Sequence, residues 1–186
     1  MKAIETRYNG YRFRSRLEAR WAVFFDTLGI KYEYEPEGFD LTETWKRVDP
    51  NAERLKADQV WYLPDFFLPD YKYYVEIKAT GTLQDQREAI EKCFLFSLQT
   101  KLLLIIGTPG NEYVAYRWPK IGGDYSGPFV FAEGRKCNRL WITSKDSGQQ
   151  EALNCDNCDS PKCGDKTTTP HAYMDEAYRA ARSARF

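Results

Sequence analysis

The sequence predicts an α/β fold in which a mixed sheet is flanked by helices. Three stretches of the 186 residues carry that prediction. Leu17, Trp21, Phe24 and Leu28 recur at helical spacing early in the chain, the pattern of an amphipathic helix. Tyr62 to Lys78 reads as two aromatic and β-branched runs around Pro69-Asp70-Tyr71-Lys72, a strand pair joined by a turn. Thr82 to Thr100 reads as a helix leading into the continuous apolar run Leu102 to Ile106, which suits a strand covered on both faces. Strand, helix and buried strand in succession make a parallel crossover. The expected order is therefore α-β-β-β-α-β.

Residues 7 to 14 interleave Arg7, Arg12 and Arg14 with Tyr8, Tyr11 and Phe13. That mixture suits a nucleic-acid edge or a short amphipathic strand. Ser15 is placed to cap the first helix and Gly29 to stop it. Glu18, three residues after Ser15, has two readings. It completes a capping box by reaching back to the N-cap amide, or it is a third acid of the site formed downstream. Ile30, Tyr32 and Tyr34 alternate with Lys31, Glu33 and Glu35 up to Pro36, a half-buried strand. Glu35 at its end either supports the site or is solvated. Residues 42 to 58, with Trp45 and Pro50 among many charges, read as an insertion and a candidate substrate-facing loop.

On the second strand of the Tyr62–Lys78 pair, side chains alternate between faces. Val75 and Ile77 point one way with Tyr73, while Tyr74, Glu76 and Lys78 point the other. The turn brings Asp65 from the first strand beside Glu76. Two carboxylates and an ammonium on one face are the material of a magnesium site, because Mg²⁺ takes oxygen ligands and keeps several waters. Asp65 and Glu76 supply two ligands and the carbonyl of Ile77 a third. Lys78 orients a water or offsets charge growing on phosphorus. The competing reading is a solvated Glu-x-Lys ion pair, worth less than about 1 kcal/mol.

Pro64-Asp65 followed by Glu76-Ile77-Lys78, with Glu76 eleven positions after Asp65, resembles the P-D…(D/E)-x-K signature of the restriction-endonuclease-like nuclease superfamily. The segment Arg14 to Leu28 is similar to the R-S-x-x-E-x-x-W/F pattern of phage and transposon relatives. With the element order, the resemblance covers residues 10 to 118. It implies an α/β restriction-endonuclease-like core (αβββαβ, a mixed sheet flanked by helices). It also implies Glu18, Asp65, Glu76 and Lys78 as catalytic residues, with Mg²⁺ or Mn²⁺ on Asp65, Glu76, Ile77 and Glu18. The implied function is a metal-dependent DNA endonuclease that hydrolyses phosphodiester bonds in phage DNA processing or recombination. The alternatives are a branched-DNA resolvase and a non-catalytic DNA-binding module that keeps the fold and a zinc arm. DNA and RNA are not separated.

In the helix at 82–100, Ile90, Cys93, Phe94, Ser97 and Leu98 share a face, so Cys93 reads as core and not as a nucleophile. Tyr113 to Trp118 adds a strand. Beyond that the chain changes character, and the reading divides it into a core at 1–125 and an extension at 126–186. Phe129 to Thr143 reads as a hairpin with Cys137 in its turn. Cys155 and Cys158 have the spacing of a zinc knuckle, Cys163 follows, and Cys137 or His171 completes the four ligands of Zn²⁺. Residues 144 to 170 hold Ala152 and Leu153 as their only apolar non-cysteine residues, too few to order the segment by burial alone. The extension is thus a small zinc-binding β-hairpin with a closing helix, Tyr173 to Phe186. That helix is expected to pack through Tyr173, Ala177, Ala180 and Ala184. Arg179, Arg182 and Arg185 lie on another face, either solvated or on phosphate. With Arg12, Arg14 and Arg16 they are the expected contacts to DNA.

Basic and acidic residues balance at 27 each. That excludes a protein that coats nucleic acid by bulk charge and leaves DNA contact to local patches. No apolar run approaches membrane-spanning length, and Met1 to Tyr8 lacks the apolar core of a signal peptide. The expected setting is the cytoplasm of a bacterial or phage-infected cell, where the five cysteines stay reduced or bind metal. A homodimer is compatible with this reading.

Overall fold

The computed structural model describes residues 3–48, 59–81, 83–110, 112–118, 126–133, 140–144, 150–152 and 172–186. The chain opens with a hairpin of β1 (Thr6–Tyr8) and β2 (Tyr11–Phe13). Its two-residue turn, Asn9-Gly10, has φ of 46° and 81°, the handedness that matches strand twist. The basic and aromatic residues at 7–13 therefore sit on a hairpin, which the Asn-Gly pair signals. Helix α1 (Arg16–Thr27) follows with Ser15 as N-cap. It ends at Gly29, φ 68°, whose amide donates to the Asp26 carbonyl while the Ile30 amide donates to that of Phe25. These two bonds satisfy two of the last carbonyls of the helix.

The middle of the chain forms β3 (Glu33–Tyr34), β4 (Phe39–Asp40), α2 (Thr42–Val48), β5 (Trp61–Tyr62), β6 (Phe66–Leu68), β7 (Tyr73–Lys78) and α3 (Leu83–Ser97). It continues through β8 (Leu102–Thr108), β9 (Glu112–Trp118), β10 (Ser126–Glu133), β11 (Leu140–Ser144), β12 (Gln150–Ala152) and α4 (Ala172–Ser183). Eight strands make one sheet in the order β12-β11-β10-β9-β8-β7-β6-β3. β7 and β8 pair in parallel across α3, and the other neighbours are antiparallel. This is the mixed α/β architecture that the sequence predicts. The sequence α1, β3, β6, β7, α3, β8 is present, with β4, α2 and β5 inserted after β3. Among the described residues no helix is long and apolar enough to cross a membrane.

Helices cover both faces of the sheet. On one, Trp21, Phe24 and Phe25 of α1 pack with Met174, Ala177 and Ala181 of α4 over Val75, Ile77, Leu103 and Ile105. The Trp21 indole donates to the Gly107 carbonyl at 3.0 Å, so its one polar atom is satisfied in the core. Phe24 stacks on Tyr178 at 5.0 Å between centroids. On the opposite face Cys93, Leu95 and Phe96 of α3 pack with Leu41, Val60, Tyr62, Leu102 and Leu104.

Several expectations are corrected. The strand expected at 30–35 pairs only at Glu33–Tyr34, on the sheet edge. The start of the 42–58 insertion is helix α2, entered where Asp40 accepts from the Thr42 amide; residues 49–58 lie outside those described. The first strand of the Tyr62–Lys78 pair is broken by Pro64-Asp65. β5 pairs with β4, and only β6 pairs with β7. On α3 Phe94 is 42% exposed while Phe96 is fully buried, because Phe96 closes a ring cluster with Phe39, Tyr62 and Tyr74. On α4 the most buried residues are Met174, Ala177 and Ala181, with Ala180 and Ala184 at the margin. Residues 150–152, read as part of a polar loop, pair with β11. β10 pairs with β9, and Met174, Ala177 and Ala181 of α4 share the core cluster with α1.

Candidate active site

Glu76 and Lys78 project from β7 toward the α3 side, while Val75 and Ile77 enter the core under α1. Register explains how Asp65 joins them. Phe66 pairs with Val75, so the residue before Phe66 falls beside Glu76. β6 begins at Phe66, which leaves the Ile77 amide without a ladder partner on that edge. The Asp65 side chain takes it instead, Oδ2 accepting at 2.7 Å. Within a strand the N–H and C=O of one residue point to the same edge. The Ile77 carbonyl is thereby aimed to the Asp65 side and away from β8.

Each carboxylate is held by more than one donor. Asp65, 2% exposed, accepts from Arg14 Nη2 at 2.9 Å on its second oxygen. Glu76, 5% exposed, accepts from the Tyr62 hydroxyl at 3.0 Å on Oε2 and pairs with Lys78 through Oε1. Glu18 accepts from the Ser15 hydroxyl at 2.6 Å, the Tyr34 hydroxyl at 2.7 Å and the Arg14 amide at 3.1 Å. Ser15 Oγ in turn accepts from the Glu18 amide. Glu18 thus serves the helix cap in a capping-box variant, bonding the amide before the N-cap. Its carboxylate still lines the same cleft as Asp65, Glu76 and Lys78, a space of about 570 Å³.

Burial, and then the neighbouring Glu76 and Glu18, push the Asp65 carboxyl well above its usual range, as desolvation and like charge do. Burial alone lowers the Lys78 ammonium, but Glu76 and Asp65 more than offset it, so its pKa lies above the ordinary lysine value. Lys78 is therefore a cation at neutral pH, a group that can offer charge and hydrogen bonds but not serve as a base. Burial also pushes the Tyr62 hydroxyl up, with Cys93 and Glu76 adding to it, which keeps Tyr62 a donor. Cys93 is buried beside that hydroxyl at 3.5 Å, and burial pushes its thiol up too; it is a core group and not a nucleophile.

The structure brings Glu18, Asp65, Glu76, the Ile77 backbone and Lys78 together. Arg14, one of the expected nucleic-acid contacts, lines the same cleft and is half exposed. Its guanidinium spans Asp65 and Glu35, the latter at 2.5 Å. Glu35 itself has φ 46°, a strained conformation outside glycine, held by its amide donating to the Asp65 carbonyl at 2.9 Å. Arg12 pairs with Glu5 on the exposed hairpin, and Arg16, Arg179, Arg182 and Arg185 are exposed. None of these five lines the cleft. Among the described residues no three His, Cys, Asp or Glu side chains gather closely enough to hold a metal ion. Cys137, Cys155, Cys158, Cys163 and His171, the expected zinc ligands, lie outside the described residues.

Sequence reasoning missed Tyr62, Tyr34, Trp61, Leu63 and Lys92. The Pro64-Asp65 dipeptide was the available signal for Tyr62, since Pro-Asp breaks a strand and frees the preceding residues to pair elsewhere. Lys92 reaches the cleft from α3, a juxtaposition that only packing produces. No protein-family model, no curated protein and no solved structure matches the chain.

Proposed function

We propose that the chain is a metal-dependent endonuclease of the restriction-endonuclease-like superfamily that hydrolyses phosphodiester bonds in DNA. The observation that carries this reading is the burial of Asp65 and Glu76 side by side, with Lys78 on the same face of β7. A structural ion pair has no need of two adjacent buried acids. The order of α1, β3, β6, β7, α3 and β8 supports the same superfamily.

The donor set fits Mg²⁺ or Mn²⁺, because every candidate ligand is oxygen and two neighbouring buried carboxylates gain from a divalent cation. Asp65, Glu76 and the Ile77 carbonyl would hold the ion, with Glu18 reaching in from α1. The bound cation would supply polarisation of a phosphoryl oxygen and acidification of a water. The chain's own groups do the positioning. Tyr62 and the Ile77 amide hold Glu76 and Asp65 in place, and the Lys78 ammonium donates toward the attacking water or the phosphoryl oxygen. For the C-terminal third the reading rests on spacing in the sequence. Cys155, Cys158 and Cys163, with Cys137 or His171, form a structural Zn²⁺ site. Phage DNA processing or recombination in a bacterial cytoplasm is the setting proposed for this activity.

The test is incubation of purified protein with linear, nicked, single-stranded and four-way DNA, with and without Mg²⁺ or Mn²⁺. Cleavage that requires metal and disappears in Asp65→Asn supports the reading. Wild-type protein that binds DNA but cuts none of the four substrates overturns it in favour of the non-catalytic binder. Elemental analysis after purification without chelators tests the extension. One zinc per chain, released by Cys158→Ala, supports it; metal-free protein in which the four cysteines other than buried Cys93 titrate freely ends it.

A further inference from the structure

One wall of the cleft takes no part in the chemistry above. Val60 and Tyr62 are buried, whereas Trp61, between them, and Leu63, after the strand, are exposed. Trp61 is 57% exposed and Leu63 37%, the former the most exposed large apolar side chain among the described residues. Both nevertheless line the cleft that contains Asp65 and Glu76. Tyr62 lies between them and donates to Glu76 at 3.0 Å, so one short segment joins the acid to the aromatic wall.

Charge is an insufficient account of how a polyanion would be held there. The cleft is lined by three cations, Arg14, Lys78 and Lys92, against four carboxylates, Glu18, Asp65, Glu76 and Glu88. Lys92 is paired with Glu88 at 2.9 Å, and Arg14 with Asp65. The whole chain is neutral as well. Even a bound divalent cation would leave this lining only marginally positive, so affinity needs a further source, and a large exposed indole supplies one, since every base has a π-face to stack on it.

We propose that Trp61, backed by Leu63, is a stacking platform for an unpaired nucleobase beside the scissile phosphate, which makes single-stranded or branched nucleic acid the substrate class. The proposal rests on the nuclease reading of this cleft. The physical reason is occlusion. In an intact duplex each base face is covered by its neighbour, so an indole meets a free face only at a single strand, a flap or a branch point.

Anisotropy with fluorescein-labelled oligonucleotides tests it, with Ca²⁺ in place of Mg²⁺ so that binding is read apart from cutting. Trp61→Ala weakens binding to a single strand and to a flapped duplex about ten- to a hundredfold, leaves a blunt duplex unchanged, and is rescued by Trp61→Tyr. An abasic sugar moved along the strand finds one position where wild type and Trp61→Ala become equal. Melting curves of the variants match wild type, because the indole is largely exposed. Equal loss on all three ligands, failure of Trp61→Tyr to rescue, or no oligonucleotide binding by wild type overturns the platform. Cleavage in Mg²⁺ is scored separately. Cutting that ignores Trp61 sinks the platform and leaves the nuclease reading standing; the stacking pattern without cutting by wild type does the reverse.

Discussion

The two faces of β7 carry opposite chemistry. Val75 and Ile77 enter a buried aromatic core under α1, whereas Glu76 and Lys78, their immediate neighbours, meet Asp65, Glu18 and Tyr62 in a cleft. One strand thus has a face that supplies stability and a face that spends it. Burying Asp65 next to Glu76 costs free energy, and the packed face tolerates that cost without letting the carboxylates move. A rigid strand is a better support for Glu76 and Lys78 than a loop, because β8 holds β7 from Tyr74 to Lys78 and the Asp65 side chain ties down the edge that β6 leaves open.

The comparison is broken most completely by neutralising the acids. Asp65→Asn and Glu76→Gln each reduce metal-dependent cleavage by about a thousandfold, while melting in metal-free buffer stays level or rises because like-charge repulsion is relieved. The opposite face gives the opposite result. Ile77→Ala removes a core side chain 4% exposed, costs about 2–5 kcal/mol and shows in the denaturant midpoint. If Glu76→Gln lowers stability by a similar amount, the two faces are not divided in this way.

Acidity sharpens the contrast. Asp65 binds its proton more tightly in the fold than in the unfolded chain. Metal-free wild type therefore loses stability as pH rises from the ordinary value of 3.8 through the raised one. The slope is at most about 1.4 kcal/mol per pH unit, that of a single proton. Asp65→Asn removes that slope, and parallel pH–stability curves for the two proteins count against it.

Smaller effects come from the supporting groups. Tyr62→Phe deletes one donor to Glu76 and weakens metal binding about tenfold, read by calorimetry with the fold intact. Glu18→Gln separates the cap from the site. It costs about 1 kcal/mol of stability through the contacts to Ser15, Tyr34 and the Arg14 amide. A fall in cleavage beyond that expected from the unfolded fraction assigns Glu18 a direct part.

What the sequence determined by itself was local. Ser15 and Gly29 bound α1 because caps and left-handed stops are decided within a few residues. Tyr73 to Lys78 alternates because the strand repeat is two, so the apolar and charged faces of β7 were legible before any packing was known. The run Leu102 to Ile106 announced a strand covered on both sides for the same reason. Tertiary structure alone decided the contacts between distant parts of the chain. Arg14 became the counter-ion of Asp65 across 51 positions, and Tyr62 the donor to Glu76 once Pro64-Asp65 sent β5 to pair with β4. Phe96 displaced Phe94 from the buried face of α3 because the rings of Phe39, Tyr62 and Tyr74 were waiting on that side. Periodicity fixes the width of a helix stripe within a residue or two, but its rotation is settled only by the surface it meets.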